Sequence, residues 1–284
     1  MSGLPSGYTQ LEYIQSSGTQ YINTAFKPKS TSRVVMDFEF IENAVASPFM
    51  SRDISNDTNM FGVFNINGQL RSDFDTTKVS FSAGLSPLQK LLYDRNKNVC
   101  TIGSETITNA NGTFSAPRPL FLFASNDSGS AAYFSTGKLY SCAIYDNGTL
   151  ARDFVPCKNA SGAVGLYDLV DAKFYGNSGS GAFTAGPEIP APEAPTALQT
   201  VLAVVLQWAA SANADRYDVY RDGAKLGSTE GTQYVDATPE ANQTYVYTVK
   251  AVNGGGESAG TSITVYTKSG YFEYKPLIES ANFP

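Results

Sequence analysis

Between residues 33 and 41 the side chains alternate one by one, with Val34, Met36, Phe38 and Phe40 on one side and Val35, Asp37 and Glu39 on the other. A period of two sends successive residues to opposite faces of an extended chain, so this segment is a half-buried strand. Short segments of this kind recur along the chain, and none sustains a helical period. Residues 60–66 and 69–74 flank Asn67-Gly68, and residues 138–145 and 150–156 flank Asn147-Gly148. Asn-Gly tolerates the two left-handed residues of a type I′ turn, so both pairs are read as hairpins. Residues 120–124 are apolar on both faces, as a strand covered on both sides requires. A last pair is expected around 165–170 and 173–175. Asp37 and Glu39, opposite the apolar stripe, are expected to be solvated edge charges.

Residues 186–195 read GPEIPAPEAP, with four prolines in ten positions. Four missing amide donors exclude a helix or a central strand and favour an extended spacer. The sequence therefore divides into a first domain over 1–186, a linker over 187–195, a second domain over 196–268 and a tail over 269–284. In the second domain Val204, Leu206 and Trp208 alternate into a core, Tyr217 and Val219 follow, and Asp222-Gly223 turns the chain. Segments 244–252 and 261–267 complete the pattern of a seven-strand immunoglobulin-like sandwich.

With 284 residues there is enough chain for two cores. The net charge of -6 argues against a nucleic-acid or anionic-membrane surface, which needs cations to neutralise phosphate. No window approaches 18 apolar residues, and no basic segment followed by an apolar run marks a secretory signal. Histidine is absent, which removes Ser-His-Asp and Cys-His nucleophile systems and histidine-bearing zinc sites. Glycine-rich phosphate loops are missing too. Paired-carboxylate glycoside hydrolysis is the remaining chemistry, but the alternating glutamates of such a cleft are not seen. A non-enzymatic protein without a cofactor is expected. In the second hairpin Cys142 is expected to face Asp153, about 13 Å along the strand from Cys157. That is too far for a disulfide, so all three cysteines are read as free, buried thiols.

The segments "VVLQWAAS" with Trp208, "DRYDVYRDG" with Tyr217, and "TYVYTVKAVNGGGES" over 244–258 resemble the fibronectin type III family. The resemblance implies that Tyr245 is a tyrosine-corner residue whose hydroxyl bonds back to nearby backbone. "LPSGYTQLEYIQSSGTQYINTAFKP", "LRSDF" and "GKLYSCAIYDNGTLARDFVPCKNASGAVGLYDLVDAKFYGNSGSGAFTAG" resemble the concanavalin-like, laminin-G-type jelly rolls of bacteriophage tail, fibre and surface proteins. Together these resemblances imply an all-β chain, a concanavalin-like jelly-roll sandwich followed by a fibronectin type III sandwich. They imply a virion surface protein, assembled in the bacterial host cytoplasm, that binds host cell-surface carbohydrate through its jelly roll. Its C-terminal part would attach to other virion proteins, with homo-oligomerisation left open. Two alternatives stand beside this reading: a purely structural capsid or tail decoration protein, and a bacterial surface adhesin or carbohydrate-binding module.

Saccharide recognition needs an aromatic platform for the apolar sugar face and planar hydrogen-bonding groups beside it. Residues 51–59 supply Arg52, Asp53, Asn56, Asp57 and Asn59, and suit a sugar loop or, through their oxygens, a calcium loop. A plain polar connection, with Asp and Asn stabilising its turns, accounts for the same composition and is preferred. Arg71 and Asp73, two apart on one strand face, read first as a fixed ion pair and second as a ligand site. Tyr93, between polar neighbours, is an exposed aromatic candidate. In the tail Tyr271, Phe272, Tyr274, Leu277, Ile278 and Phe283 give six large apolar residues in sixteen. Free tails are normally polar, so this one is read as docking on a neighbouring subunit or virion shell, with folding back over the second domain as the alternative.

Overall fold

The computed structural model describes residues 4–189, 196–199 (backbone only) and 203–267. The tail candidates Tyr271, Phe272, Tyr274, Leu277, Ile278 and Phe283 lie outside the described residues. Two compact units emerge, one holding the residues up to 189 with 253–259, the other holding the rest. All regular elements among the described residues are strands. The protein is all-β, a jelly-roll sandwich followed by a fibronectin type III sandwich.

In the first unit two sheets enclose one core. The first sheet runs, in spatial order, Glu105–Thr108, Val99–Ile102, Lys90–Asn96, Ser32–Phe40, Thr136–Asp146, Thr149–Asn159, Val164–Asp168 and Lys173–Tyr175. The second runs Ser130–Ala132, Ser125–Asp127, Ala46–Asp53, Thr58–Ile66, Gln69–Asp75 and Thr77–Gly84, with Phe121–Leu122 also paired to Ala46–Asp53 and to Ile22–Asn23. Met36, Phe38, Phe40, Ile144 and Phe154 of the first sheet meet Phe49, Phe61, Val63 and Phe74 of the second. Both expected Asn-Gly turns are present, with φ of 51° and 94° at Asn67-Gly68 and 48° and 85° at Asn147-Gly148. This double positive φ is the signature of type I′. The segment 120–124 is buried throughout, as expected. Only Phe121–Leu122 is strand, because Phe123 turns left-handed at φ 65° and redirects the chain.

The structure corrects three sequence readings. Glu39 is not a solvated edge charge. Ser32–Phe40 is flanked on both sides, Lys138 lies directly opposite Glu39, and the Glu39 carboxylate accepts from Lys138 Nζ at 2.7 Å and Tyr140 Oη at 2.9 Å. Cys142 faces Phe154 rather than Asp153, because a bulge between Ile144 and Tyr145 shifts the register by one. The expected linker starts later than residue 187. Glu12 N–H donates to Pro187 O at 2.8 Å, Ile189 N–H donates to Gln10 O at 3.0 Å, and Ile189 is buried. That isoleucine gains a place in the first unit which an isolated spacer cannot offer.

One buried cation ties the two sheets together. Arg95 projects inward from Lys90–Asn96 and is fully buried. Its Nε donates to Gly62 O at 3.3 Å, Nη1 to Lys97 O at 3.0 Å, and Nη2 to Asp73 O at 2.9 Å and Asn109 Oδ1 at 3.3 Å. Nη2 also donates to Ser72 Oγ. The guanidinium lies between Phe61 and Phe74, 5.4 and 5.5 Å from their ring centroids. Burying a cation is costly unless its donors are matched, and here four of the five acceptors lie outside its own hairpin. Burial still pulls the Arg95 pKa down.

The second unit pairs Thr196–Gln199, Val204–Gln207 and Gln233–Asp236 in one sheet. The other contains Ala224–Thr229, Arg216–Arg221, Thr244–Asn253 and Thr261–Tyr266. Val204, Leu206, Trp208, Tyr217, Val219, Tyr247 and Val249 form its core. The Tyr245 hydroxyl accepts the Glu240 backbone N–H at 3.0 Å, the corner bond that the fibronectin resemblance implied.

Arg95→Met removes the donors to the Gly62, Lys97 and Asp73 carbonyls and puts none in their place, so urea denaturation should show a loss of about 3–5 kcal/mol. The three cysteines are free and buried, and burial pushes the Cys157 thiol up to about 12. An aromatic disulfide reagent at pH 8 should find no reactive thiol in the native chain and three in guanidinium chloride.

Candidate functional site

Directly paired residues of neighbouring strands share a sheet face. Phe121 pairs with Met50, Met50 with Gly62, Gly62 with Asp73, and Phe64 with Arg71. The alternating partners Leu122, Phe49 and Val63 belong to the core. Phe64, Arg71 and Asp73 therefore sit together on the face of the second sheet turned away from the core. Gly62 lies under them, and a Cβ there would come within 2.3 Å of Phe49 O.

Two forked ion pairs frame Phe64. Arg71 Nε and Nη2 donate to Asp73 at 2.6 and 2.7 Å, and Arg52 Nε and Nη2 donate to Asp127 at 2.7 and 2.6 Å. The Arg52 and Arg71 guanidinium carbons lie 5.0 and 5.3 Å from the Phe64 centroid. Tyr133 meets Phe64 edge to face at 5.3 Å, lies 5.1 Å from the Arg52 guanidinium, and is 42% exposed. Its φ is 51°, which is sterically unfavourable for a bulky aromatic residue and is tolerated where the surroundings enforce it. Burial raises the Asp73 pKa, against the opposing pull of Arg71.

Of the residues proposed from sequence, Arg52, Arg71 and Asp73 thus converge on one patch, each arginine already engaged by a carboxylate. The other loop residues do not join them. Asp53 accepts from Ser55 N–H at 3.1 Å, Ser55 Oγ at 2.6 Å and Ser128 Oγ at 3.2 Å. The Ser55 bonds hold its carboxyl below the ordinary range. Asn56 is exposed in the turn, Asn59 Nδ2 donates to Thr58 Oγ1 at 3.2 Å, and Asp57 pairs with Lys78. Among the described residues no three His, Cys, Asp or Glu side chains gather as metal ligands. Tyr93 is not an exposed aromatic. It lies on a strand in register with Leu91 and Arg95, points inward, and is fully buried beside Phe38.

Sequence reasoning missed Phe64 and Tyr133, the two rings that give the patch its shape. The only signal for Phe64 was its parity: in Thr58–Ile66 it falls out of step with Phe61 and Val63, as a large apolar residue on the outer face. Tyr133 comes after Ser130–Ala132, and no local pattern reveals that the fold brings it onto Phe64.

No protein-family model matches the chain. Among curated proteins it is 42% identical over 100 residues to a poly(3-hydroxybutyrate) depolymerase of Ralstonia pickettii, covering 33% of this chain and 19% of that one. It is 30% identical over 185 residues to an α-amylase of Niallia circulans, covering 49% and 14%. To chitinase C of Streptomyces lividans it is 32% identical over 148 residues, covering 44% and 24%. The chain thus spans a quarter or less of the length of these relatives. Among solved structures it is similar to the FN3tt domain (TM-score 0.27, 22% identity, 29% of this chain and 98% of that one). It is also similar to domains LG4-5 of mouse laminin α1 (0.37, 11%, 94% and 70%) and to the tripod of the bacteriophage Tuc2009 baseplate (0.19, 11%, 89% and 71%). Structural likenesses this slight carry no functional argument.

The curated names overturn the expectation of a non-enzymatic protein. Each of these relatives is named as an enzyme, and absent histidine excludes particular nucleophile systems without excluding carboxylate chemistry.

Arg52→Met would leave the Asp127 carboxylate buried without its counter-charge. Urea denaturation should show a loss of about 3 kcal/mol, with part of it restored when Asp127→Asn is added.

Proposed function

We propose that this protein is a virion surface module that binds cell-surface saccharide through the outer face of its jelly roll. The observation that carries the reading is the exposed Tyr133 ring, held at a strained backbone angle against Phe64 and beside the Arg52–Asp127 and Arg71–Asp73 forks. A pyranose has an apolar face that covers an aromatic ring and a rim of hydroxyls that bond to planar donors and acceptors. Tyr133 supplies the first and the two forks supply the second. One small patch binds weakly, so many copies on one particle would give the affinity that a single copy lacks. Attachment to other virion proteins is assigned to the C-terminal part of the chain, on the six large apolar residues among 269–284.

A second reading is favoured by the curated relatives. Their names, among them exoglucanase B and two further chitinases, support a module that belongs to a polymer-acting enzyme. Incubating the full chain with chitin, cellulose and starch separates the readings, with depletion of protein reporting binding and new reducing ends reporting hydrolysis.

Tyr133→Gly removes the platform while relieving the backbone. It should weaken binding to the retained polysaccharide at least tenfold while changing stability by no more than about 1 kcal/mol. Unaltered binding by this variant, or no binding by the parent to any polysaccharide, would sink the saccharide reading.

A further inference from the structure

A cleft of about 660 Å³ opens on the first sheet of the jelly roll, away from the Tyr133 patch. Its floor is set by register. Tyr145 pairs with Arg33, Arg33 with Asn96, and Asn96 with Val99, so these four residues form a row across four strands. One step along, Val35 pairs with Asp94 and Asp94 with Thr101. The intervening residues Val34, Ile144 and Cys100 lie in the core, so Tyr145, Arg33, Asp94 and Thr101 all face outward. Arg33 Nε and Nη2 donate to Asp94 at 2.8 and 2.6 Å, and the guanidinium carbon lies 5.7 Å from the Tyr145 centroid.

The walls are held as firmly as the floor. Lys97 turns left-handed at φ 57°, donates its N–H to Ser32 O at 3.0 Å, and offers its carbonyl to buried Arg95 at 3.0 Å. Asn98 Nδ2 donates to Asn109 O at 2.9 Å. On the opposite side stands the type I′ turn at Asn147-Gly148. A site on paired strands with fixed turns needs little ordering when a ligand arrives.

We propose that this cleft is a second saccharide site of the same unit, one that takes a pyranose with vicinal hydroxyls. The proposal rests on the reading of the jelly roll as saccharide-binding. Arg33 uses two of its five N–H groups on Asp94 and keeps three. The Asp94 oxygens keep lone pairs beyond the two bonds they accept. Donor and acceptor thus stand side by side at the spacing of two neighbouring hydroxyls, with the Tyr145 ring next to them for the apolar sugar face. The Arg33 and Asp94 charges cancel within their forked pair, and Lys97 is the remaining charged residue of the lining. The volume lies within the range of small-ligand pockets.

The test uses the full chain and saturation-transfer NMR with cellobiose, lactose, mannobiose and chitobiose. Native protein should transfer saturation to at least one of these disaccharides. Tyr145→Ala and the nearly isosteric Asp94→Asn should each weaken that binding at least fivefold, while Tyr133→Gly leaves part of it in place. Thermal melting of Asp94→Asn near that of the parent shows that a loss is local. If both cleft variants bind as the parent does, the cleft proposal falls and the Tyr133 reading stands. If the parent binds no sugar on the panel and no polysaccharide, both fall.

Discussion

A jelly roll closes two sheets over an apolar core, and in this protein the point of closure is a buried arginine. Arg95 belongs to the first sheet, yet it donates to the carbonyls of Gly62 and Asp73 and to the hydroxyl of Ser72 in the second. Such a contact is indifferent to neither distance nor angle, because each unmatched donor in a dry interior costs more than a matched one contributes. Apolar side chains alone would tolerate small slips between the sheets. Arg95 does not, and so it fixes which residues of one sheet stand above which of the other.

Both candidate sites inherit their geometry from that constraint. Asp73, whose carbonyl accepts from Arg95, uses its carboxylate to hold Arg71 against Phe64 on the outer face of the second sheet. Lys97, whose carbonyl also accepts from Arg95, forms a wall of the cleft on the first sheet. One buried cation therefore braces two surfaces on opposite faces of the sandwich. The forked pairs on those surfaces repeat the same economy: Arg52–Asp127, Arg71–Asp73 and Arg33–Asp94 each fix a planar polar group in place while keeping hydrogen-bonding capacity at its edge.

The curated relatives are named as a depolymerase, an α-amylase and a chitinase, and the chain matches each over a quarter or less of its length. Fold does not decide function in such sandwiches. What distinguishes one from another is which side chains the strands present on their outer faces, and here both faces present an aromatic ring next to a paired arginine and carboxylate.

Much of the architecture was legible in the residues themselves. Period-two alternation in Ser32–Phe40 gave its buried face correctly, and Asn67-Gly68, Asn147-Gly148 and Asp222-Gly223 gave three hairpins, because strand faces and left-handed turns are local properties of the chain. The Arg71–Asp73 pair was legible for the same reason, since two residues two apart on a strand must share a face. Tertiary structure alone decided the rest. A bulge moved Cys142 opposite Phe154, neighbours on both sides buried Glu39, and inward parity took Tyr93 and Arg95 into the core. Tyr133 reached Phe64, and Tyr145 reached Arg33 and Asp94, across separations that no local pattern spans. Binding surfaces of a sandwich are assembled from strands distant in sequence, and only their register says which side chains meet.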